Sequence, residues 1–224
     1  MTYRRILFTI VMAAFFIGAP AQDKAHDWAQ FYRYAEANKE LSSTPFAILF
    51  GDSITDFWAG YDPDFFADNN LLGRGISGQT TSEMLVRFRS DVIALKPKVV
   101  VMLAGINDIA ENNGPISLDN ILGNIRSMIE LARLHKIKPV VCSLLPTGGF
   151  SWRPDIKPAP IIVDFNERLA AMAKAEKIPF VNYYSALADE RGALRDGLSA
   201  DGCHPNIKGY RIMEPILLRT LKNM

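Results

Sequence analysis

The stretch Ile48–Trp58, ILFGDSITDFW, decides how the rest of the chain is read. An unbroken apolar run, Phe46–Phe50, stops abruptly at Gly51-Asp52-Ser53. A run that does not alternate polar with apolar suits a strand buried on both faces, as in a parallel sheet covered by helices. Its polar tip is then the carboxyl end of a strand. There Ser53 is either a cap for the next helix or a hydroxyl presented for nucleophilic chemistry.

Similar apolar runs recur downstream at Lys98–Leu103, Pro139–Leu145 and Ile178–Tyr183, with a weaker one at Asn70–Gly75. Amphipathic stretches lie between them. Thr80–Leu95 carries Met84, Leu85, Phe88, Val92 and Leu95 at helical spacing, and Ser117–His135 opens on a capping serine. Ile161–Lys177 and Pro205–Asn223 complete the set, and a polar segment, His26–Leu41, reads as a further helix. Helices between buried strands imply right-handed crossovers, so the expected fold is α/β: one three-layer α/β/α sandwich on a five-stranded parallel sheet. Ligands of such sheets bind beyond the carboxyl ends of the strands.

At 224 residues the chain is long enough for one large domain. The 25 basic residues nearly balance the 24 acidic ones, so no basic field attracts nucleic acid. The first residues stand apart. Arg4 and Arg5 precede an apolar run, Ile6–Ile17, and then Ala19-Pro20-Ala21. This is the pattern of a cleavable secretory signal over residues 1–21. The expected divisions are that signal, an N-terminal helical segment over 22–44 and the main domain over 45–224. The mature chain is expected to be secreted or periplasmic, with no stable membrane span. Cys142 and Cys203 are too few for a disulfide framework.

Of three histidines, only His204 has a chemically suggestive neighbourhood, Asp201-Gly202-Cys203-His204-Pro205-Asn206. A turn there lets the Asp201 carboxylate reach the imidazole and fix its tautomer, leaving the other ring nitrogen to take a proton. A histidine capping a turn beside an aspartate fits the same letters. Two more strand ends offer hydrogen-bond donors for an oxyanion, the backbone N–H of Gly75 and the side-chain amide of Asn107. Each residue alone is also an ordinary turn residue.

Four short blocks, GDSIT, RGISGQTT, AGIND and DGCHPN, follow one another at successive expected strand ends. In this the chain resembles the SGNH/GDSL hydrolases, and the second block is most similar to their platelet-activating-factor acetylhydrolase-like esterases. The resemblance covers roughly residues 45–222 and implies a flavodoxin-like fold. It further implies Ser53 as nucleophile, His204 as base, Asp201 as its orienter, and Ser53, Gly75 and Asn107 as the oxyanion hole. No cofactor is implied. The expected activity is that of a serine esterase removing small acyl groups such as acetyl, from a small-molecule or carbohydrate ester. A lysophospholipase, a thioesterase or a sugar acyltransferase would use the same residues.

Two other patterns read differently. Gly73–Gly78 spells G-x-G-x-x-G, but the next strand ends at Leu103-Ala104-Gly105 without the acid a dinucleotide ribose needs. Asp62, Asp64 and Asp68 lack the spacing and glycine of a calcium loop and read as a solvated loop, so no metal site is expected. Trp58 and Tyr61, after Ser53, and Trp152 and Arg153, in the Gly- and Pro-rich loop Thr147–Pro160, are candidate substrate contacts. Oligomeric state is not legible.

Overall fold

The computed structural model describes residues 27–224, so the expected signal segment lies outside the described residues. The strands are β1 (Ala47–Gly51), β2 (Leu71–Gly75), β3 (Val99–Leu103), β4 (Lys138–Cys142) and β5 (Phe180–Val181). All neighbours pair in parallel, in the order β2-β1-β3-β4-β5. The helices are α1 (Tyr32–Lys39), α2 (Ser53–Tyr61), α3 (Pro63–Asp68), α4 (Thr81–Asp91), α5 (Ile106–Ile109), α6 (Leu118–Leu134), α7 (Pro158–Ala175), α8 (Tyr184–Leu187) and α9 (Ile207–Leu221).

From β1 the chain steps outward to β2, and from β2 it steps back across the sheet toward β5. Right-handed crossovers therefore send α2 and α3 to one face and α4, α6 and α7 to the other. α9 joins α2, and α4 packs on α6. Every residue of β1 and β3 is buried, which is why their sequences do not alternate. The chain reverses direction across the sheet between these two strands, and a crevice opens beyond their carboxyl ends.

Three expected elements end early, the two strands because a side chain takes over the backbone hydrogen bonds. β4 stops at Cys142: Asn166 on α7 accepts from Leu144 N–H and donates to Leu144 C=O, at 2.8 and 3.1 Å. β5 is only two residues long because the Ser143 hydroxyl accepts from the N–H groups of both Tyr183 and Tyr184. α4 breaks at Val92, and a 3₁₀ turn, Ile93–Leu95, ends in left-handed Lys96. The aspartate stretch is α3 rather than a solvated loop. Asp62 is its cap, accepting from Phe65 N–H at 3.2 Å, and is buried beside Arg211. Both cysteines are free thiols; burial pushes each up to about 12.

α1 buries none of its residues. Polar bonds hold it instead: Tyr34 donates its hydroxyl to Gly75 C=O, and Asn38 bonds Asp91 and Arg74. Among the described residues no helix is long and apolar enough to cross a membrane.

Candidate active site

β1 ends at Gly51, where glycine is compulsory. A Cβ there would lie 2.2 Å from Thr55 Oγ1 and 2.7 Å from Leu103 C=O. The chain turns at once into α2. Asp52 is the N-cap, its carboxylate accepting from Ile54 N–H at 3.0 Å, so Ser53 is the first helical residue rather than the cap. Its N–H belongs to the unpaired first turn, at the positive end of the helix dipole.

His204 arrives from the other end of the chain, in the turn before α9. Pro205 does not open that helix; Asn206 caps it, accepting from Lys208 and Gly209 N–H. Asp201 organises the turn. Its Oδ1 accepts from the backbone N–H groups of His204 and Cys203, at 2.8 and 2.9 Å. Its Oδ2 lies 2.6 Å from His204 Nδ1. With Nδ1–H donated there, Nε2 is the free acceptor, and it lies 2.8 Å from Ser53 Oγ. Burial raises the Asp201 pKa, but the backbone and imidazole hydrogen bonds outweigh it and hold the carboxyl well below the usual range. It therefore stays ionised beside the ring.

Asn107 stands on α5, beyond β3, and is buried. Its amide is oriented at both ends: Oδ1 accepts from Asn112 Nδ2 at 2.8 Å, and Nδ2 donates to Gln79 C=O at 3.0 Å. One amide hydrogen is left over. Gly75 is placed differently from its expected role. Ile76 N–H donates to Gly51 C=O, so by strand alternation the N–H and C=O of Gly75 point away from β1, and that carbonyl takes the Tyr34 hydroxyl. What makes Gly75 a glycine is the first turn of α2: a Cβ would lie 2.2 Å from Asp56 N. The glycine next to Gln79, whose carbonyl takes the Asn107 amide, is Gly78; it is exposed, at φ +82°, and its own carbonyl accepts from Asn112 Nδ2 at 3.4 Å. The doubled glycines of the second block were the available signal, and only the backbone path tells them apart.

The four candidate substrate contacts separate. Trp58 is 2% exposed and stacks on Phe65 and Tyr210, so it is core and not a substrate contact. Tyr61 is exposed, but eight residues along α2 from Ser53, about 12 Å along its axis. Arg153 reaches carboxylates of its own chain, Glu111 and Asp155, and bonds Ala110 C=O. Trp152 does reach the site: its ring centroid is 6.4 Å from that of His204, and its Nε1–H donates to Asn112 Oδ1 at 3.1 Å. Phe57 was not anticipated. It is one helical turn beyond Ser53, and its ring centroid is 5.1 Å from the imidazole. The i, i+4 spacing was the signal.

Two buried charged groups support this arrangement. Arg87, fully buried, donates to Gly51 C=O, Arg74 C=O, Gln79 Oε1 and Asp91, tying the tips of β1 and β2 to the loop that carries Gly78. Asp52 is also buried, and its Oδ2 has no partner. Burial raises its pKa to about 7. A carboxyl raised this way binds its proton in the folded state after the unfolded chain has released it. Stability then falls as pH climbs from the unfolded value toward 7. Asp52→Asn keeps an acceptor for Ile54 N–H and removes the charge. It should match the wild type near pH 4 and exceed it progressively to pH 8, by about 4 kcal/mol at most. Urea unfolding at several pH values measures the gap, and a gap that does not widen with pH counts against the assignment.

A doubly wound parallel sheet whose carboxyl edge joins a hydroxyl, an imidazole and a carboxylate is the layout of an ester-hydrolysing enzyme. The chain belongs to the GDSL-like lipase/acylhydrolase family, whose sequence profile matches residues 49–212. A GDSL-like lipase from Bacteroides thetaiotaomicron of known crystal structure is 46% identical, with a TM-score of 0.83, over 87% of this chain and 98% of that one. Among characterised proteins, the isoamyl acetate-hydrolyzing esterase of Saccharomyces cerevisiae is 26% identical over 78% of this chain and 85% of its own length. The acetylxylan esterase of Geobacillus stearothermophilus is 26% identical over 67% of this chain and 71% of its own.

Proposed function

We propose that the protein is an exported esterase that removes acetyl or similarly small acyl groups, from carbohydrate among other alcohols, through a Ser53–His204–Asp201 triad. The single observation that carries the mechanism is the continuous path from Ser53 Oγ through the imidazole to Asp201, at 2.8 and 2.6 Å. His204 Nε2 takes the hydroxyl proton as Oγ attacks the ester carbonyl. The N–H groups of Ser53 and Gly78 and the Asn107 amide receive the oxyanion; Gly78 takes the place first expected for Gly75. His204 then protonates the departing alcohol, and next activates the water that frees the acid. The acetyl preference draws support from two of the three named relatives, the yeast and Geobacillus esterases, whose names specify acetate esters. Export rests on the N-terminal pattern: residues 1–21 as signal, 22–44 as the segment carrying α1, and 45–224 as the hydrolase domain.

Hydrolysis of a p-nitrophenyl acyl series from acetate to dodecanoate tests the reading. Activity should be highest on acetate and fall as the chain lengthens; a maximum on long chains would replace this reading with a lipase or thioesterase.

Base catalysis sets the pH dependence. A protonated His204 cannot accept the Ser53 proton, while Asp201 stays ionised throughout. kcat/KM on p-nitrophenyl acetate should fall as pH is lowered. A profile that stays flat down to the pH of acid unfolding removes His204 from that role.

A further inference from the structure

The group that must protonate the leaving alcohol also fixes where that alcohol lies. Its oxygen has to come within hydrogen-bond reach of His204 Nε2, so the remainder of the alcohol occupies the space beside the imidazole. Two large rings border that space. Phe57 stands at 5.1 Å from the imidazole, centroid to centroid, and Trp152 at 6.4 Å with its plane tilted by only 26°. Both rings remain substantially in water, at 40% and 44% exposure, in a protein that buries Trp58 and Phe150 almost completely. Trp152 is not loose: its indole N–H is held by Asn112, and its ring leans on Phe150. Phe57 is fixed by its place on α2, one turn from Ser53.

Resting on the esterase reading above, we infer that Phe57 and Trp152 form the leaving-alcohol site and select ring-shaped alcohols with a flat C–H face, cyclic sugars above all. An apolar ring offers such a face van der Waals contact while the alcohol's hydroxyls stay at the open, solvated rim. The acyl group lies on the other side of the carbonyl carbon. These two residues therefore bear on the alcohol and not on acyl length.

The step that distinguishes alcohols is acylation, because the alcohol has left before water attacks. kcat/KM covers the steps through acylation, so it is the quantity to compare. The substrates are methyl acetate, cyclohexyl acetate and a monoacetylated methyl xyloside, with methyl butyrate as the acyl control. Trp152→Ala and Phe57→Ala should each lower the ratio of kcat/KM on the xyloside to that on methyl acetate by about five- to tenfold. The butyrate-to-acetate ratio should stay within about twofold. Trp152→Phe, which restores a ring, should recover part of the lost selectivity. If both alanine variants change all substrates in equal proportion, or shift the butyrate-to-acetate ratio, the placement is overturned while the esterase reading stands. If cyclohexyl acetate alone shows the loss, the rings serve apolar alcohols and the sugar preference is overturned. A wild-type enzyme that hydrolyses none of the acetates overturns both.

Discussion

Ser53→Ala should lower kcat on p-nitrophenyl acetate by about 10⁴-fold or more, and His204→Ala should do the same. The two losses should not add. Once the hydroxyl is gone the imidazole has no proton to take, and without the base the hydroxyl is nearly inert, so the double variant should be no slower than either single one. Residual turnover should survive in all three, because the oxyanion donors remain in place. Stability should change little with Ser53→Ala, since the hydroxyl bonds His204 in a part-buried crevice rather than in the core and the helix is capped by Asp52. Steady-state kinetics on the three variants, with thermal melts to show that each is folded, measure this. Single variants within tenfold of the wild type would remove Ser53 and His204 from the mechanism.

Asn107→Ala should cost about 10²–10³-fold in kcat. The amide hydrogen left over after the bond to Gln79 is the one available to a developing oxyanion. A carbonyl in the ground state needs it less, so KM should move far less than kcat. Asn107→Asp is the sharper test. It is nearly the same size but puts a carboxylate where negative charge develops, and it should be slower than the alanine variant. Equal rates for the two would mean that Asn107 serves only to hold Gln79 and Asn112.

Much of this was legible in the sequence, and what was not has physical causes. The buried runs gave the parallel sheet because β1 and β3 are covered on both faces, which leaves no alternation to misread. Strand ends were less legible. Where β4 and β5 stop depends on Asn166 and Ser143, whose side chains reach across from other segments. Asp201 and His204 could be paired from sequence because a turn of only two intervening residues joins them. The partnership with Ser53, 151 positions away, rested on resemblance to known hydrolases and not on spacing. Gly75 and Gly78 show the limit most clearly. Both are glycines of one motif, but one is required by the helix packed on it and the other by its left-handed backbone, and letters alone do not carry that difference. Trp58 misled for a similar reason: nearness to Ser53 in sequence placed it on the opposite side of α2, while Phe57 faces the histidine.

Asn112 gives the loop after β4 a hold on the chemistry. It receives the Trp152 indole N–H on one side of its amide and steadies the Asn107 oxygen from the other. Anyone grafting a foreign loop onto this scaffold to change what it accepts will also disturb how fast it turns over. Appetite and speed are wired through one side chain here, and breeding for either will drag the other along.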